Sequence, residues 1–230
     1  MYFDTQTDDP VLLVRGLSDL DMPLSKVVTH LTMAAHSKRD GYFDVTDKDV
    51  EEKLQSAECL AFAVQYRRVV GFMAVHPKLA LTRTDLHLAY IQGVIVHADQ
   101  RGQRLPDQLL KTALGPHGWP DLVALHTQTP AMAVCVERWG RGGVCFPRTM
   151  GNYEMVHELR EDLAESMRNI GRSVGGSGGW TGVCANAYPH KLFHGGDGHF
   201  PELGPQDALF MVAFTGRGAG RCLHRLEGAA

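Results

Sequence analysis

Apolar residues recur with two different periods along the first 150 positions of the chain. One set of segments has the length and apolar content of strands: residues 11–18, 59–66, 69–76, 86–97 and 121–128. A second set repeats apolar residues at helical spacing: residues 21–38, 46–57, 105–114 and 129–140. A further short strand falls within residues 143–149. The predicted order is strand, two helices, three strands, helix, strand, helix, strand.

This order predicts an α/β (α+β) fold with a mixed, mostly antiparallel sheet flanked by helices. The second and third strands are separated by two arginines and predict a hairpin. A helix joins the fourth strand to the fifth, so these two strands are expected to be parallel. Gly93, inside the fourth strand, indicates a bulge or a close backbone approach. We expect a single domain over residues 1–230, with its core at about 10–147.

The pattern changes after residue 150. Residues 152–172 predict a helix whose first residues could instead form a strand. A glycine-rich loop (173–182) and a segment without periodicity (184–205) follow, so we expect an insertion over about 150–206. Residues 207–214 predict the last strand, and residues 216–230 a mobile tail.

Composition and charge exclude several classes of protein. The net charge of −3 gives no basic surface for nucleic acid, and no apolar run approaches the length of a membrane span. The N-terminal residues lack the apolar core of a secretory signal. The five cysteines are spread along the chain without a C-x-x-C pair, which indicates reduced thiols in a cytoplasmic protein.

The segment VIVHADQRGQRLPDQLL (94–110) joins an apolar strand to a helix through a basic loop that contains glycine. Backbone N–H groups at the start of a helix bind anions, and glycine lets an anion approach the backbone closely. This loop is therefore a candidate anion site, and a pyrophosphate suits several successive N–H donors.

The element order, this loop and the later VCVERWGR segment together resemble the Gcn5-related N-acetyltransferase (GNAT) family. The family carries a Gln/Arg-x-x-Gly-x-Gly/Ala loop for acyl-CoA after its fourth strand. The resemblance covers about residues 10–147, with 207–214 as the final family strand. It implies that the backbone of Ile95 and Val96 contacts the pantetheine arm. It also implies a pyrophosphate site formed by Arg101, Gly102, Gln103, Arg104 and Leu105.

The chain departs from the family pattern at three positions. Arg104 and Pro106 stand where the loop motif has glycine or alanine. Arg104 either obstructs the phosphate path or binds phosphate through its guanidinium group, and Pro106 removes one N–H donor. Val136 stands where the family commonly has a tyrosine that protonates the leaving thiolate.

Candidate catalytic residues lie on the fourth and fifth predicted strands. The fourth strand has no carboxylate after Asp85, so its proton carriers are His87 and Tyr90, and Gln92 is placed to orient a water or a carbonyl group. Strand parity puts Tyr90 and Gln92 on one face, which we expect to face the cleft. The alternative is a core tyrosine with a satisfied hydroxyl group. His126, at the end of the fifth strand, is a further candidate.

A histidine-rich stretch (190–199) lies in the insertion. Its three imidazoles and one carboxylate are possible metal ligands, but prolines and glycines indicate an irregular loop, either a wall of the acceptor pocket or a solvated segment. We therefore expect no metal.

The resemblance implies an acyl-CoA-dependent N-acyltransferase, with acetyl-CoA or another short acyl-CoA as co-substrate. The amine attacks the thioester directly, and a small-molecule amine is the expected acceptor. We expect no nucleic-acid or membrane partner, and a monomer or homodimer. Two alternatives remain open: a non-catalytic relative that binds acyl-CoA or a partner protein, and a different acyl-CoA reaction on the same scaffold.

Overall fold

The computed structural model describes residues 11–15, 24–36, 57–66, 68–127, 129–140, 144–146, 153–172, 174, 183–185, 207–216 and 222–225. These ranges include the whole predicted loop and both predicted catalytic strands up to residue 127. Three predicted segments lie outside them: the helix at 46–57 except for residue 57, the glycine-rich loop at 173–182 except for residue 174, and the histidine-rich stretch at 190–199.

The described elements follow the predicted order. The helices are α1 (Leu24–His36), α2 (Leu105–Leu114), α3 (Pro130–Trp139) and α4 (His157–Asn169). The first five strands are β1 (Val11–Arg15), β2 (Cys59–Gln65), β3 (Arg68–Leu81), β4 (Leu86–Val96) and β5 (Leu122–Thr127). The later strands are β6 (Cys145–Phe146), β7 (Tyr153–Met155), β8 (Val183–Ala185), β9 (Asp207–Phe214) and β10 (Leu223–Arg225). The predicted mixed α/β class is confirmed, and the paired strands β1–β2, β2–β3 and β5–β9 are antiparallel.

Three features of the structure differ from the sequence prediction or decide between its options. β3 continues to Leu81 instead of ending at residue 76, although it contains Pro77. β2 begins at Cys59 opposite Val75, so β3 beyond that point has no β2 residue to pair with. Proline is tolerated there because no hydrogen bond to β2 is lost.

The other two differences lie in the C-terminal part. The residues before α4 form strand β7, which was one of the two options left open. The prediction of a mobile tail is wrong for residues 222–225: β10 pairs with β7, and Cys222 is buried. Short strands of this kind are set by a distant partner and leave little periodicity in the sequence.

The chain divides into two compact units, and β3 and β4 each contribute residues to both. The first unit comprises residues 1–77 and 91–118, with the strand order β1-β2-β3-β4. Its sheet is covered on both faces. Phe62 and Phe72 form a cross-strand pair that packs in a cluster with Val28 and Leu31 of α1. The adjacent pair, Ala63 and Gly71, points to the opposite face, where α2 lies.

Gly71 lies where α2 packs against this sheet. A Cβ atom at residue 71 would lie 2.9 Å from Leu105 Cδ2 and 3.3 Å from Leu109 Cδ1. A larger residue at position 71 would therefore require these two leucine side chains to move. Leu105 is the first residue of α2, so the contact lies at the start of the helix.

The second unit comprises residues 78–90 and 119–230. Its strands follow the order β4-β5-β9-β6, and β8 also pairs with β9. Leu159, Leu163 and Met167, on one face of α4, pack in a buried cluster with side chains of β4, β5 and β9. No helix in the described residues is long and apolar enough to cross a membrane.

Candidate functional site

The loop between β4 and α2 carries two left-handed backbone conformations. A short 3-10 turn (Ala98–Gln100) follows β4, and Arg101 is extended. Gly102 has a φ of 83°, and Arg104, the N-cap of α2, has a φ of 56° and a ψ of 26°. Glycine adopts this region readily, whereas arginine does so at a cost in conformational energy.

The first turn of α2 leaves loop N–H groups available. Asp107 and Gln108 both donate their N–H groups to the carbonyl oxygen of Arg104, and Pro106 has no N–H group. Within the described residues, no acceptor is seen for the N–H groups of Gly102, Gln103 and Leu105. The helix N-terminus thus offers several donors and the positive end of its dipole.

Side-chain exposure divides the five predicted loop residues into two kinds. Arg101, Gly102, Gln103 and Arg104 are exposed, so both guanidinium groups are accessible to a ligand. Leu105 is buried against Gly71. The structure therefore brings the predicted residues together as an accessible basic loop with a fixed apolar anchor.

Two contacts hold the start of this loop to the β2–β3 hairpin. Gln100 Nε2 donates to Gln65 Oε1 at 2.7 Å, and the N–H group of His97 donates to the carbonyl oxygen of Val70 at 2.8 Å. Neither Gln65 nor Gln100 was predicted from the sequence as a site residue. Their contact joins residues 35 positions apart, and nothing local in the sequence signals it.

The end of β4 contains the two residues predicted to contact a pantetheine arm. Ile95 and Val96 are half-buried, and the side chain of Ile95 packs against the α1 cluster of the first unit. Gly93 precedes them, and no atom of the described residues lies within 4 Å of the place that a Cβ atom would take. Packing against the described part of the chain therefore does not require glycine at residue 93.

Tyr90 and His126 are brought together in the second unit. Tyr90 Oη lies 2.9 Å from His126 Nδ1, within hydrogen-bond distance. Tyr90 is only 1% exposed and belongs to the cluster covered by α4, whereas His126 is half-buried. The ring of Tyr90 is in the core and its hydroxyl group has a partner, as the alternative of a core tyrosine expected. A catalytic role for Tyr90 stays a prediction.

Phe210 packs against His126 and was not predicted as a site residue. It is the direct cross-strand partner of His126 on β9, with ring centroids 4.9 Å apart. Gln92, the third predicted catalytic residue, belongs to the first unit and is half-buried. Parity along the strand does not reveal contacts such as that of His126 with Phe210, which depend on strand order.

Val136 lies fully buried on α3, at 0% exposure. Its aliphatic side chain has no acidic proton, so Val136 cannot protonate a leaving thiolate. Among the described residues, no group of three or more His, Cys, Asp or Glu side chains is placed to hold a metal ion.

Solved structures of known proteins match this chain, whereas the comparisons with family models and with curated proteins find nothing. Neither the models of known protein families nor the curated proteins give a match. The ribosomal-protein-S18-alanine N-acetyltransferase from Escherichia coli matches with a TM-score of 0.45 and 13% identity, covering 88% of this chain and 93% of that chain. A GNAT family acetyltransferase from Elizabethkingia anophelis, with acetyl-CoA bound, matches with a TM-score of 0.45 and 11% identity, covering 90% and 99%.

An aminoglycoside 6'-N-acetyltransferase complexed with coenzyme A matches with a TM-score of 0.40 and 17% identity, covering 88% of this chain and 97% of that chain. The order of the described elements along the chain agrees with the order predicted from the sequence. The chain has a mixed α/β fold, which is the class that the sequence predicted.

Proposed function

We propose that this chain is an acyl-CoA-dependent N-acyltransferase that transfers an acetyl or another short acyl group to an amine. The observation that carries the proposal is the accessible loop at residues 101–105, which begins a ten-residue helix. Its N–H groups and two exposed arginines suit a pyrophosphate, the group by which coenzyme A differs from simpler thioesters. A small-molecule acceptor and a cytoplasmic location remain part of this proposal.

The loop binds the pyrophosphate in two ways in this proposal. The N–H groups of Gly102, Gln103 and Leu105 donate to phosphate oxygens, and the helix dipole adds to the attraction. Arg101 and Arg104 provide charge-assisted hydrogen bonds from the solvent side. The end of β4, at Ile95 and Val96, offers its backbone to the pantetheine amides.

The transfer proceeds by direct attack of a neutral amine on the thioester carbonyl carbon, at about 3–3.5 Å. Amines are mostly protonated at neutral pH, so a proton must leave before the attack. Tyr90 is too buried to touch the amine itself. The proton therefore leaves to solvent or through a water oriented by Gln92.

Isothermal titration with acetyl-CoA tests the binding part of this proposal. We expect saturable binding at micromolar concentration, with free coenzyme A also binding because it carries the same pyrophosphate. A panel of small amines, with products identified by mass, then tests transfer. Absence of binding to any acyl-CoA would contradict the proposal at the loop.

A non-catalytic acyl-CoA-binding protein is the second candidate, and the burial of Val136 is the observation in its favour. The same two experiments separate the candidates. Binding together with acylated products supports the enzyme, whereas tight binding without turnover on any amine supports the second candidate.

A further inference from the structure

Two buried oxygen atoms in the first unit have no hydrogen-bond partner among the described residues. One is Oγ1 of Thr29, a residue in the middle of α1 that is only 9% exposed. The other is Oε1 of Gln100, in the 3-10 turn directly before the loop at residues 101–105. A buried polar group without a partner is unfavourable, because folding removes its hydrogen bonds to water and does not replace them.

Thr32 shows how a threonine in α1 can satisfy its hydroxyl group within the helix. Its Oγ1 donates to the carbonyl oxygen of Val28, four residues earlier, at 2.7 Å. Thr29 makes no such bond to the described part of the chain. Its hydroxyl group is therefore a buried donor that the helix itself does not use.

The side-chain amide of Gln100 has a partner on one side. Its Nε2 donates to Oε1 of Gln65 at 2.7 Å, which assigns the other atom of the Gln100 amide as the oxygen. This oxygen can only accept a hydrogen bond, and it is buried from solvent. The donor that satisfies it therefore has to come from the protein.

The two groups are chemically complementary, and the elements that carry them are in contact. The 3-10 turn packs against α1. Ile95, at the end of β4, packs in the same apolar cluster as Val28, the neighbour of Thr29 on α1. The Thr29 hydroxyl group is a donor and Gln100 Oε1 is an acceptor, so a hydrogen bond between them satisfies both.

We propose that Thr29 is a positioning residue for the loop at residues 101–105, and that its hydroxyl group donates to Gln100 Oε1 when the loop binds its ligand. Gln100 directly precedes Arg101, so this bond fixes the start of the loop between α1 and the β2–β3 hairpin. The bond forms only in the complex, so it contributes to ligand affinity and not to the stability of the free chain. The identity of the ligand, acyl-CoA held by its pyrophosphate, rests on the proposed function.

Thr29→Val tests this role, because valine has nearly the shape of threonine and lacks the hydroxyl group. In the free chain this hydroxyl group is buried without a described partner, so Thr29→Val should not lower the thermal midpoint. The same variant should weaken acetyl-CoA binding about tenfold, the loss expected for one hydrogen bond. Thermal denaturation and titration calorimetry measure the two effects. A lower thermal midpoint, or an unchanged affinity, overturns the proposal.

Two matched variants on α1 control for the substitution itself. Thr29→Ser keeps the hydroxyl group and should bind acetyl-CoA within about twofold of the unmodified chain. Thr32→Val removes a hydroxyl group that is already bonded within the helix, and it should also change the affinity by less than about twofold. Equal losses of affinity in Thr29→Val and Thr32→Val contradict a specific role for Thr29.

A double-mutant cycle tests the pairing of Thr29 with Gln100. Gln100→Leu removes the acceptor together with the Gln65 contact, and it should weaken acetyl-CoA binding by about 10–100-fold. In this background Thr29→Val should change the affinity by less than about twofold, whereas a tenfold loss in both backgrounds overturns the pairing. If the unmodified chain binds no acetyl-CoA, the proposed function and this proposal both fail. Binding that Thr29→Val leaves unchanged removes only the role of Thr29.

Discussion

Arg104 shows at a single residue how this chain departs from the glycine-rich loops it resembles. Its φ of 56° lies in the left-handed region, which costs about 1 kcal/mol for a residue other than glycine. The side chain is exposed, so burial of apolar surface does little to compensate for this cost. A guanidinium group that binds phosphate would explain why arginine is tolerated there.

Replacing Arg104 with glycine removes both the side-chain charge and the backbone strain, and the two effects appear in different measurements. We expect Arg104→Gly to weaken acetyl-CoA binding about tenfold, since one charge-assisted contact is lost. We expect the free energy of unfolding to change by less than about 1 kcal/mol, because relief of strain is offset by the greater freedom of unfolded glycine. Titration calorimetry and urea denaturation measure the two effects.

Arg104→Ala is the matched control, since it loses the same charge and keeps the unfavourable φ. Both variants should lose affinity equally, and only the alanine variant should retain the strain. Tighter binding by Arg104→Gly would show instead that the guanidinium group obstructs the phosphate path.

Asp162 anchors helix α4 to the turn between β3 and β4. It is 2% exposed, and its carboxylate accepts hydrogen bonds from the N–H groups of Arg83 and Thr84 and from the hydroxyl group of Thr84, at 2.8–3.0 Å. Arg83 also contacts the exposed carboxylates of Glu161 and Glu165 on the same helix. The hydrogen-bond donors of the turn therefore find their acceptor on a helix that lies almost 80 residues later in the sequence.

Asp162→Ala should lower the free energy of unfolding by about 3 kcal/mol, because it removes a buried carboxylate that accepts several part-buried hydrogen bonds. Glu165→Gln, on the same helix, alters a contact between side chains that are each 49% exposed and should change stability by less than about 0.5 kcal/mol. Urea denaturation of both variants measures the contrast. Equal effects would mean that the anchor does not depend on the buried carboxylate.

At the scale of the whole molecule, each unit has its own buried apolar cluster, and Cys59, Cys135, Cys145 and Cys222 are buried. The Cys59 thiol donates to the carbonyl oxygen of Ala113 at 3.5 Å. Burial raises the pKa of this thiol above its ordinary value of 9.0, and the neighbouring charge of Glu58 raises it further.

This shift links the stability of the folded chain to alkaline pH. The unfolded thiol ionises first, so the contribution of Cys59 is fully present below about pH 9 and is lost as the pH rises through the higher folded pKa. We expect stability to fall as the pH rises above about 9, and to fall less in Cys59→Ala. Chemical denaturation at several pH values measures the difference, and parallel curves for the two proteins would contradict the linkage.

Elements with a strong period were predictable because their signal is local. The apolar spacing and proline of α3, and the eight-residue run of β9, each determine an element without reference to the rest of the chain. The loop residues 101–105 were predictable for the same reason, since a strand, a basic loop and a helix follow one another directly in the sequence.

The sequence by itself therefore determined the order of elements, the fold class and the candidate loop. The tertiary structure alone decided which distant groups meet: Tyr90 with His126, Gln65 with Gln100, Asp162 with the β3–β4 turn, and β10 with β7. Periodicity reports which face of an element is buried, because burial follows from the local hydrophobic pattern. It does not report which elements become neighbours, because strand order and register arise from the packing of the whole chain.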